Sequence, residues 1–150
     1  MGRRIETGVD IAASPETVWE VLTDLDRYEE WNPFVTSSQG RVAVGETLRN
    51  RLEPPGGRTM TFAPRVTVAD EPRVFEWLGK LGVSGVFDGR HRFELEPTQS
   101  GTRLVHSEEF GGIAVPFLMG AKTQAQTREG FVEMNDALRA RCEARAEPTE

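Results

Sequence analysis

Apolar and polar residues alternate along most of the chain, which is the pattern of half-buried β-strands. The clearest examples are residues 5–11 near the start and residues 103–110 in the last strand-like segment. Between them, pairs of Gly or Pro divide the chain into several short strands. Pro64 interrupts one alternating run and predicts a bulge or an edge position there. Most of the chain is therefore predicted to form sheet.

Helical patterns appear before and after these strands. Ser14 can cap a helix whose first position is Pro15, and a second short helical piece is predicted for residues 26–31. From about Pro116 the apolar period changes to that of one long helix, about 40 Å in length. Its predicted apolar stripe consists of Phe117, Gly120, Gln124, Thr127, Phe131, Met134, Leu138 and Cys142.

The order of these parts predicts a bent sheet that grips the long helix. Such an arrangement leaves a gap unless large side chains fill it. The middle of the helix stripe offers only Gly120, Gln124 and Thr127, which are small or polar. We therefore expect an internal cavity lined by apolar strand residues, the usual form of a small-molecule site.

Three polar residues share the inward side of the last two strands. If residues 97–101 form the turn between these strands, then His91, His106 and Glu108 meet inside the fold. A buried imidazole and a buried carboxylate need partners, and each can satisfy the other. Three roles stay open: a structural hydrogen-bonded cluster, orientation of a ligand, and general acid–base catalysis. Two His and one Glu also match a zinc set, but the spacing fits no known motif, so no metal is expected.

Composition limits the class of protein. A length of 150 residues fits one domain, with an ordered core at about residues 4–145. The net charge of −6 and the lack of a clustered basic face argue against nucleic-acid binding. The single cysteine, Cys142, allows no intrachain disulfide and is predicted to be a small buried filler. Because neither a signal peptide nor a membrane span is evident, we expect a cytoplasmic protein without stable membrane insertion.

Three segments resemble a known superfamily. SPETVWEVLTDLDRYEEWNPF is similar to the opening of START, polyketide-cyclase and pollen-allergen proteins, together called SRPBCC. FDGRHRFELEP with GTRLVHSEEFGG resembles the last hairpin of one uncharacterised bacterial branch, and FVEMNDALRARCEA resembles its closing helix. The resemblance implies an α+β helix-grip fold: a curved seven-stranded antiparallel sheet around a long C-terminal helix, with two short helices after the first strand. It also implies binding of lipids, polyketides or aromatic molecules, or aromatase and cyclase activity.

One functional hypothesis leads, and two alternatives stay open. The leading hypothesis is a cofactor-free monomer or homodimer that binds a mostly hydrophobic molecule of about 15–30 heavy atoms in the cavity. The first alternative is a polyketide cyclase, aromatase or dehydratase that uses a His–Glu acid–base pair. The second is a protein-interaction module, such as a chaperone cofactor, which needs an exposed apolar patch. The candidate ligand-binding residues are Trp31, Leu48, Asn50, Met60, Phe62, Phe75, Trp77, His91, Phe93, His106, Glu108, Phe110, Phe117, Gln124, Thr127 and Phe131.

Overall fold

The computed structural model describes residues 3–81, 83 and 85–146. A first strand, short helices, a run of strands and a long closing helix follow one another in the order that the sequence pattern predicts. In chain order they are β1 (Arg3–Ile11), α1 (Pro15–Thr23), a 3₁₀ turn (Leu25–Arg27), α2 (Tyr28–Trp31), β2 (Val35–Gln39), β3 (Arg49–Leu52), β4 (Met60–Phe62), β5 (Arg65–Asp70), β6 (Val74–Lys80), β7 (Asp88–Thr98), β8 (Gly101–Gly111), α3 (Val115–Leu118) and α4 (Ala121–Ala146).

Within the described residues the strands form two antiparallel sheets. One has five strands in the order β1-β8-β7-β6-β5, and the other has three in the order β2-β3-β4. A bridge between Thr47 and Arg65 joins them, as does a hydrogen bond from Leu48 N to Pro64 O at 2.7 Å. The predicted α+β helix-grip class is confirmed. The strand count differs, since eight strands in two sheets replace a single sheet of seven.

Pro64 accounts for the additional strand and for the division into two sheets. The alternating run around it predicts one strand with a bulge or an edge position, and the structure divides it into β4 and β5, each at the edge of its own sheet. A proline has no N–H to donate to a sheet ladder, so continuous pairing on both sides of it is disfavoured. The chain passes from one sheet to the other at this residue.

The predicted helix start at Ser14 is observed. The Ser14 side chain accepts a hydrogen bond from Thr17 N at 3.2 Å, and Pro15 occupies the first turn. The buried face of α1 includes Val18 and Leu22, which pack into the core. Asn32 then ends the helical region, and its side-chain oxygen accepts hydrogen bonds from Phe34 N and Val35 N, where β2 begins.

The long closing helix is also observed, but it begins at Ala121 rather than near Pro116. A separate short helix, α3, precedes it, and this break changes the direction in which Phe117 points. At 26 residues α4 is about 40 Å long and packs across β1 and α1. None of the helices in the described part of the chain is long and apolar enough to cross a membrane.

Candidate functional site

A cavity of about 250 Å³ opens between the β3–β4 hairpin, the loop after β6 and the start of α4. Side chains from both sheets and from the helix form its wall, and most of them are apolar. The lining residues are Phe34, Asn50, Leu52, Pro54, Met60, Phe62, Pro64, Trp77, Gly79, Lys80, Leu81, Phe87, Gly89, His91, Glu108, Phe110, Leu118, Met119, Thr123 and Thr127. The predicted space beside the helix therefore exists.

Two glycines help to create this space. Gly79 on β6 and Gly89 on β7 are direct cross-strand partners, and both line the cavity. A Cβ at Gly79 would meet only ordinary contacts, at 3.9 Å from Gly89 O and from Pro64 Cβ. A Cβ at Gly89 would instead collide with Glu108 Oε2. The missing side chain at Gly89 thus leaves room for the Glu108 carboxylate.

The three polar residues predicted to meet do so. His91 on β7 lies directly opposite Glu108 on β8, and Phe93 lies opposite His106. His91 Nδ1 is 3.3 Å from Glu108 Oε1, and His91 Nε2 is 2.6 Å from His106 Nε2. Glu108 and His91 line the cavity, whereas His106 is buried behind them.

Asn135 on α4 fixes the hydrogen-bond directions in this cluster. Its Nδ2 donates to Thr7 Oγ1 at 2.8 Å, and its Oδ1 is 2.7 Å from His106 Nδ1. Thr7 donates its own hydrogen to the His106 carbonyl oxygen at 3.0 Å. Because an amide oxygen can only accept, His106 Nδ1 carries a hydrogen.

His106 is neutral in this arrangement. Burial lowers the pKa of His106 well below its ordinary value, the neighbouring His91 lowers it further, and the bond to Asn135 opposes the shift only in part. With its hydrogen on Nδ1, neutral His106 has a bare Nε2 that accepts from His91 Nε2–H. Asn135 on α4 therefore determines which ring nitrogens carry hydrogen in His106 and, through it, which nitrogen of His91 donates to His106.

His91 Nδ1 and Glu108 Oε1 lie 3.3 Å apart, a separation that makes an ion pair when His91 is protonated. Because His91 Nε2 contacts His106, the Nδ1 atom is the one that faces the Glu108 carboxyl. The two side chains form an imidazole–carboxyl pair at the wall of an apolar cavity. Such a group can hydrogen-bond a ligand or transfer a proton.

Aromatic rings surround this pair and limit its access to water. Trp77 stacks on His91 with ring centroids 4.6 Å apart, and Phe131 stacks on His106 at 4.1 Å. His91 is only 3% exposed, and the Glu108 side chain is 17% exposed. Glu108 is therefore the more accessible member from the cavity side.

The candidate ligand-binding residues fall into two groups. Eight of them line the cavity: Asn50, Met60, Phe62, Trp77, His91, Glu108, Phe110 and Thr127. Asn50 is fixed there by a 2.6 Å hydrogen bond with the Ser38 hydroxyl. The apolar members come from strands of both sheets, as expected for a wall built by their concave sides.

The other eight lie elsewhere, for reasons of size or geometry. Leu48, Phe75, Phe93 and Phe131 are fully buried core residues, and His106 lies behind His91. Trp31 borders a separate surface cleft between the first helices and the end of α4, lined largely by charged side chains. Gln124 turns back to donate to Met119 O at 2.8 Å. Phe117 is 86% exposed, because the break between α3 and α4 removes it from the helix stripe.

Several important residues were not singled out from the sequence. Gly79 and Gly89 were detectable in principle, since glycine inside a strand indicates a close approach or missing volume. Asn135 was also detectable, because it follows Phe131 by four residues and so places an amide on the apolar face of α4. The contribution of Phe87 comes from a loop whose path the sequence pattern does not define.

The single thiol of the chain lies outside the cavity. Burial raises the pKa of the Cys142 thiol to about 12, a shift that Arg145 opposes and Glu143 favours, so this cysteine is unreactive at neutral pH. Within the described ranges, no group of three His, Cys, Asp or Glu side chains is arranged to hold a metal ion. The acid–base candidates at the cavity wall are Glu108 and His91, and Lys80 adds a cation there.

Solved structures share this fold over almost the whole chain. The aromatase/cyclase ZhuI from Streptomyces sp. R1128 has a TM-score of 0.77 at 20% identity, covering 98% of this chain and 97% of that one. Protein MLL2253 from Mesorhizobium loti has a TM-score of 0.72 at 19% identity, covering 97% and 100%. The di-domain ARO/CYC StfQ from the steffimycin biosynthetic pathway has a TM-score of 0.72 at 15% identity, covering 97% of this chain and 52% of that one.

Sequence comparison identifies the family. No curated protein matches the chain at a significant level. Residues 3–143, however, match the family described as polyketide cyclase/dehydrase and lipid transport. This match spans both sheets and nearly all of α4, including every residue of the His91–His106–Asn135 chain. The protein therefore belongs to the polyketide cyclase/dehydrase and lipid transport family.

Proposed function

We propose that the cavity binds a small, mostly hydrophobic molecule with one polar group that contacts Glu108. The observation that carries this proposal is a largely apolar wall that includes the imidazole–carboxyl pair of His91 and Glu108. Apolar burial supplies most of the binding free energy, at about 25 cal/mol for each Å² removed from water. The polar contact orients the ligand, because a polar group of the ligand that is buried in an apolar cavity needs a hydrogen-bond partner.

The cavity volume restricts the size of the ligand. Sites for drug-sized molecules usually measure about 300–1,000 Å³, and 250 Å³ lies just below that range. The ligand is therefore either compact, near the lower end of the size expected from the sequence, or has a tail that leaves through the mouth. Either way its polar group reaches Glu108 and its apolar part contacts Trp77 and Phe110.

Two measurements test this proposal. Native mass spectrometry of freshly purified protein should detect a bound small molecule. Fluorescence titration with 1-anilinonaphthalene-8-sulfonate should then show binding that Gly79→Val weakens by about tenfold or more, because the added side chain fills cavity space. Gly111→Val is the matched control, as Gly111 is a strand glycine with open space around it and lies outside the cavity. Equal probe affinities in both variants and the parent would refute the proposal.

A second candidate function is dehydration or cyclisation of a carbonyl-containing chain. The imidazole–carboxyl pair of His91 and Glu108 inside an apolar cavity favours it, and two of the three similar structures described above are named aromatase/cyclase or ARO/CYC. In a dehydration, the pair accepts a proton from the carbon beside the carbonyl and returns one to the β-hydroxyl. That hydroxyl leaves as water while a carbon–carbon double bond forms, so the pair ends as it began.

Glu108→Ala and His106→Ala separate these candidates. For an enzyme, turnover of a β-hydroxy thioester should fall by about 10²–10⁴-fold in Glu108→Ala while probe binding is retained. For a binding protein, no turnover is seen in any form and only the affinity changes. If turnover by the parent protein survives both substitutions, the acid–base role is eliminated.

A further inference from the structure

The exposed apolar residues of this protein are concentrated around the mouth of the cavity. Phe117 is 86%, Ile113 78% and Val83 72% exposed, and Leu81 and Leu118 are about half exposed. We call these five residues the mouth patch. Leu81 and Leu118 also line the cavity, so the patch is continuous with its opening. Monomeric proteins rarely group exposed apolar side chains without a partner for them.

Backbone hydrogen bonds hold the two loops of the mouth patch together. Ile113 N donates to Gly85 O at 3.0 Å, and Ala114 N donates to Val86 O at 2.8 Å. Leu81 N donates to Phe87 O at 2.8 Å, which closes the loop after β6 on itself. The apolar side chains thus project from a braced surface.

The positive charges on either side of the mouth patch are lysines, whereas the other basic residues of the chain are arginines. The chain contains sixteen arginines but only two lysines, Lys80 and Lys122, and both flank the patch. Within residues 3–81, 83 and 85–146, neither lysine forms an ion pair, whereas many arginines do. Asp88, the cross-strand neighbour of Lys80, accepts from Gly85 N at 3.2 Å instead. Two exposed ammonium groups are therefore available to an external anion.

We propose that the mouth patch docks reversibly on an anionic lipid surface. Phe, Ile, Leu and Val side chains flanked by lysines suit the boundary between acyl chains and charged headgroups. Protein interfaces are enriched in aromatic residues, Met and Arg and depleted in Lys. The patch has one aromatic residue, four aliphatic ones and two flanking lysines, a composition that favours lipid over a protein partner. The proposal rests on the proposed function in one respect: docking opens the cavity directly to apolar molecules dissolved in the bilayer.

Vesicle sedimentation of the whole chain tests the docking proposal. The protein should bind phosphatidylcholine vesicles that contain roughly one third phosphatidylglycerol and bind pure phosphatidylcholine far more weakly. Ile113→Ser with Phe117→Ser should weaken binding by about a hundredfold, and Lys80→Gln with Lys122→Gln by roughly thirtyfold. Val132→Ser and Arg139→Gln, exposed positions on α4 outside the patch, should leave binding unchanged. Thermal unfolding of each variant checks that the fold is retained.

Three results would overturn the docking proposal. The first is absence of sedimentation with any vesicle, and the second is equal binding by the serine double variant. The third is a dimer in analytical ultracentrifugation that this variant converts to monomer without any vesicle binding, since the patch then joins two copies of the chain. A different result would refute the cavity proposal: Gly79→Val and the parent would have the same affinity for 1-anilinonaphthalene-8-sulfonate in lipid-free buffer. That result does not depend on whether the protein sediments with vesicles, so the two proposals can fail separately.

Discussion

The two ends of α4 lie in different surroundings. From Phe131 to the C-terminal end, Phe131, Met134, Leu138 and Cys142 are completely buried. Nearer the N-terminal end, Thr127 lines the cavity and is only partly buried. One continuous helix therefore completes the core at one end and forms a cavity wall at the other.

Side-chain size accounts for this contrast. The packed end is filled by large residues such as Phe75 and Phe93, which stack on each other with ring centroids 6.2 Å apart. The open end has Gly79 and Gly89 on the same two strands. Because burial of apolar side chains is the main favourable contribution to folding, the packed end stabilises the fold and allows the other end to stay open.

The largest expected loss of stability comes from removing a buried side chain at the packed end. Leu138→Ala should lower the free energy of unfolding by about 2–5 kcal/mol, since it removes a fully buried side chain and leaves a cavity. Thr127→Ala, on the same helix at the open end, should change it by no more than about 0.5 kcal/mol. Urea denaturation of both variants measures the difference. Equal losses would contradict the division into a packed and an open end.

A somewhat smaller loss of stability is expected for a substitution where the packed and open ends of α4 meet. Asn135→Leu leaves the His106 Nδ1 hydrogen without an acceptor, which should lower the free energy of unfolding by about 1–3 kcal/mol. The exposed neighbour Asp136 provides the control, and Asp136→Leu should stay within about 0.5 kcal/mol of the parent. A neutral Asn135→Leu would mean that the polar chain contributes nothing to stability.

The buried imidazole should also make stability depend on pH. In the unfolded chain a histidine has a pKa of about 6.5, and in the fold the pKa of His106 lies well below that. Between the two values only the unfolded chain binds the proton, so stability is full above about pH 6.5 and declines as the pH falls. From pH 7 to 5.5 the parent should lose about 1 kcal/mol more than His106→Gln.

Glu76 does not interfere with that measurement. Burial raises the pKa of this carboxyl, but hydrogen bonds from Arg92, Thr67 and Arg90 outweigh burial and leave the pKa below its ordinary value. Its contribution to stability is therefore lost only at more acidic pH, below the window used for His106. Parallel stability curves for the parent and His106→Gln would show that His106 is not held neutral by the fold.

The smallest expected change in the free energy of unfolding is the difference between alanine substitutions at the two cavity glycines. Gly89→Ala should lower the free energy of unfolding by about 1 kcal/mol, because the new methyl group displaces the Glu108 carboxylate. Gly79→Ala meets only ordinary contacts and should be neutral within about 0.5 kcal/mol. Thermal denaturation distinguishes them. The reverse order would show that Glu108 does not occupy the space above Gly89.

The features predicted best from the sequence are those set by local residue period. Strand alternation placed His91, His106 and Glu108 on one side of a hairpin, and pairing of the two strands brings them into contact. The stripe of α4 was correct from Phe131 onward, where the helix is continuous. Both features depend on the period alone, which a sequence displays directly.

Features that depend on three-dimensional curvature could not be predicted in this way. Inward-facing aromatic residues look alike in sequence, yet Phe93 fills the core while Phe62 lines the cavity. The exposure of Phe117 depends on a helix break whose position no strong signal marks. The partner of His106 is Asn135, more than twenty residues away, and only the packing of α4 on the sheet reveals it.

The open contact around Gly79 leaves the cavity volume adjustable by substitution. A residue with a larger side chain there reduces the volume of the cavity while adding only ordinary contacts. Under the proposed function, a single substitution at Gly79 therefore changes the size of molecule that the cavity accepts, and the variant still folds.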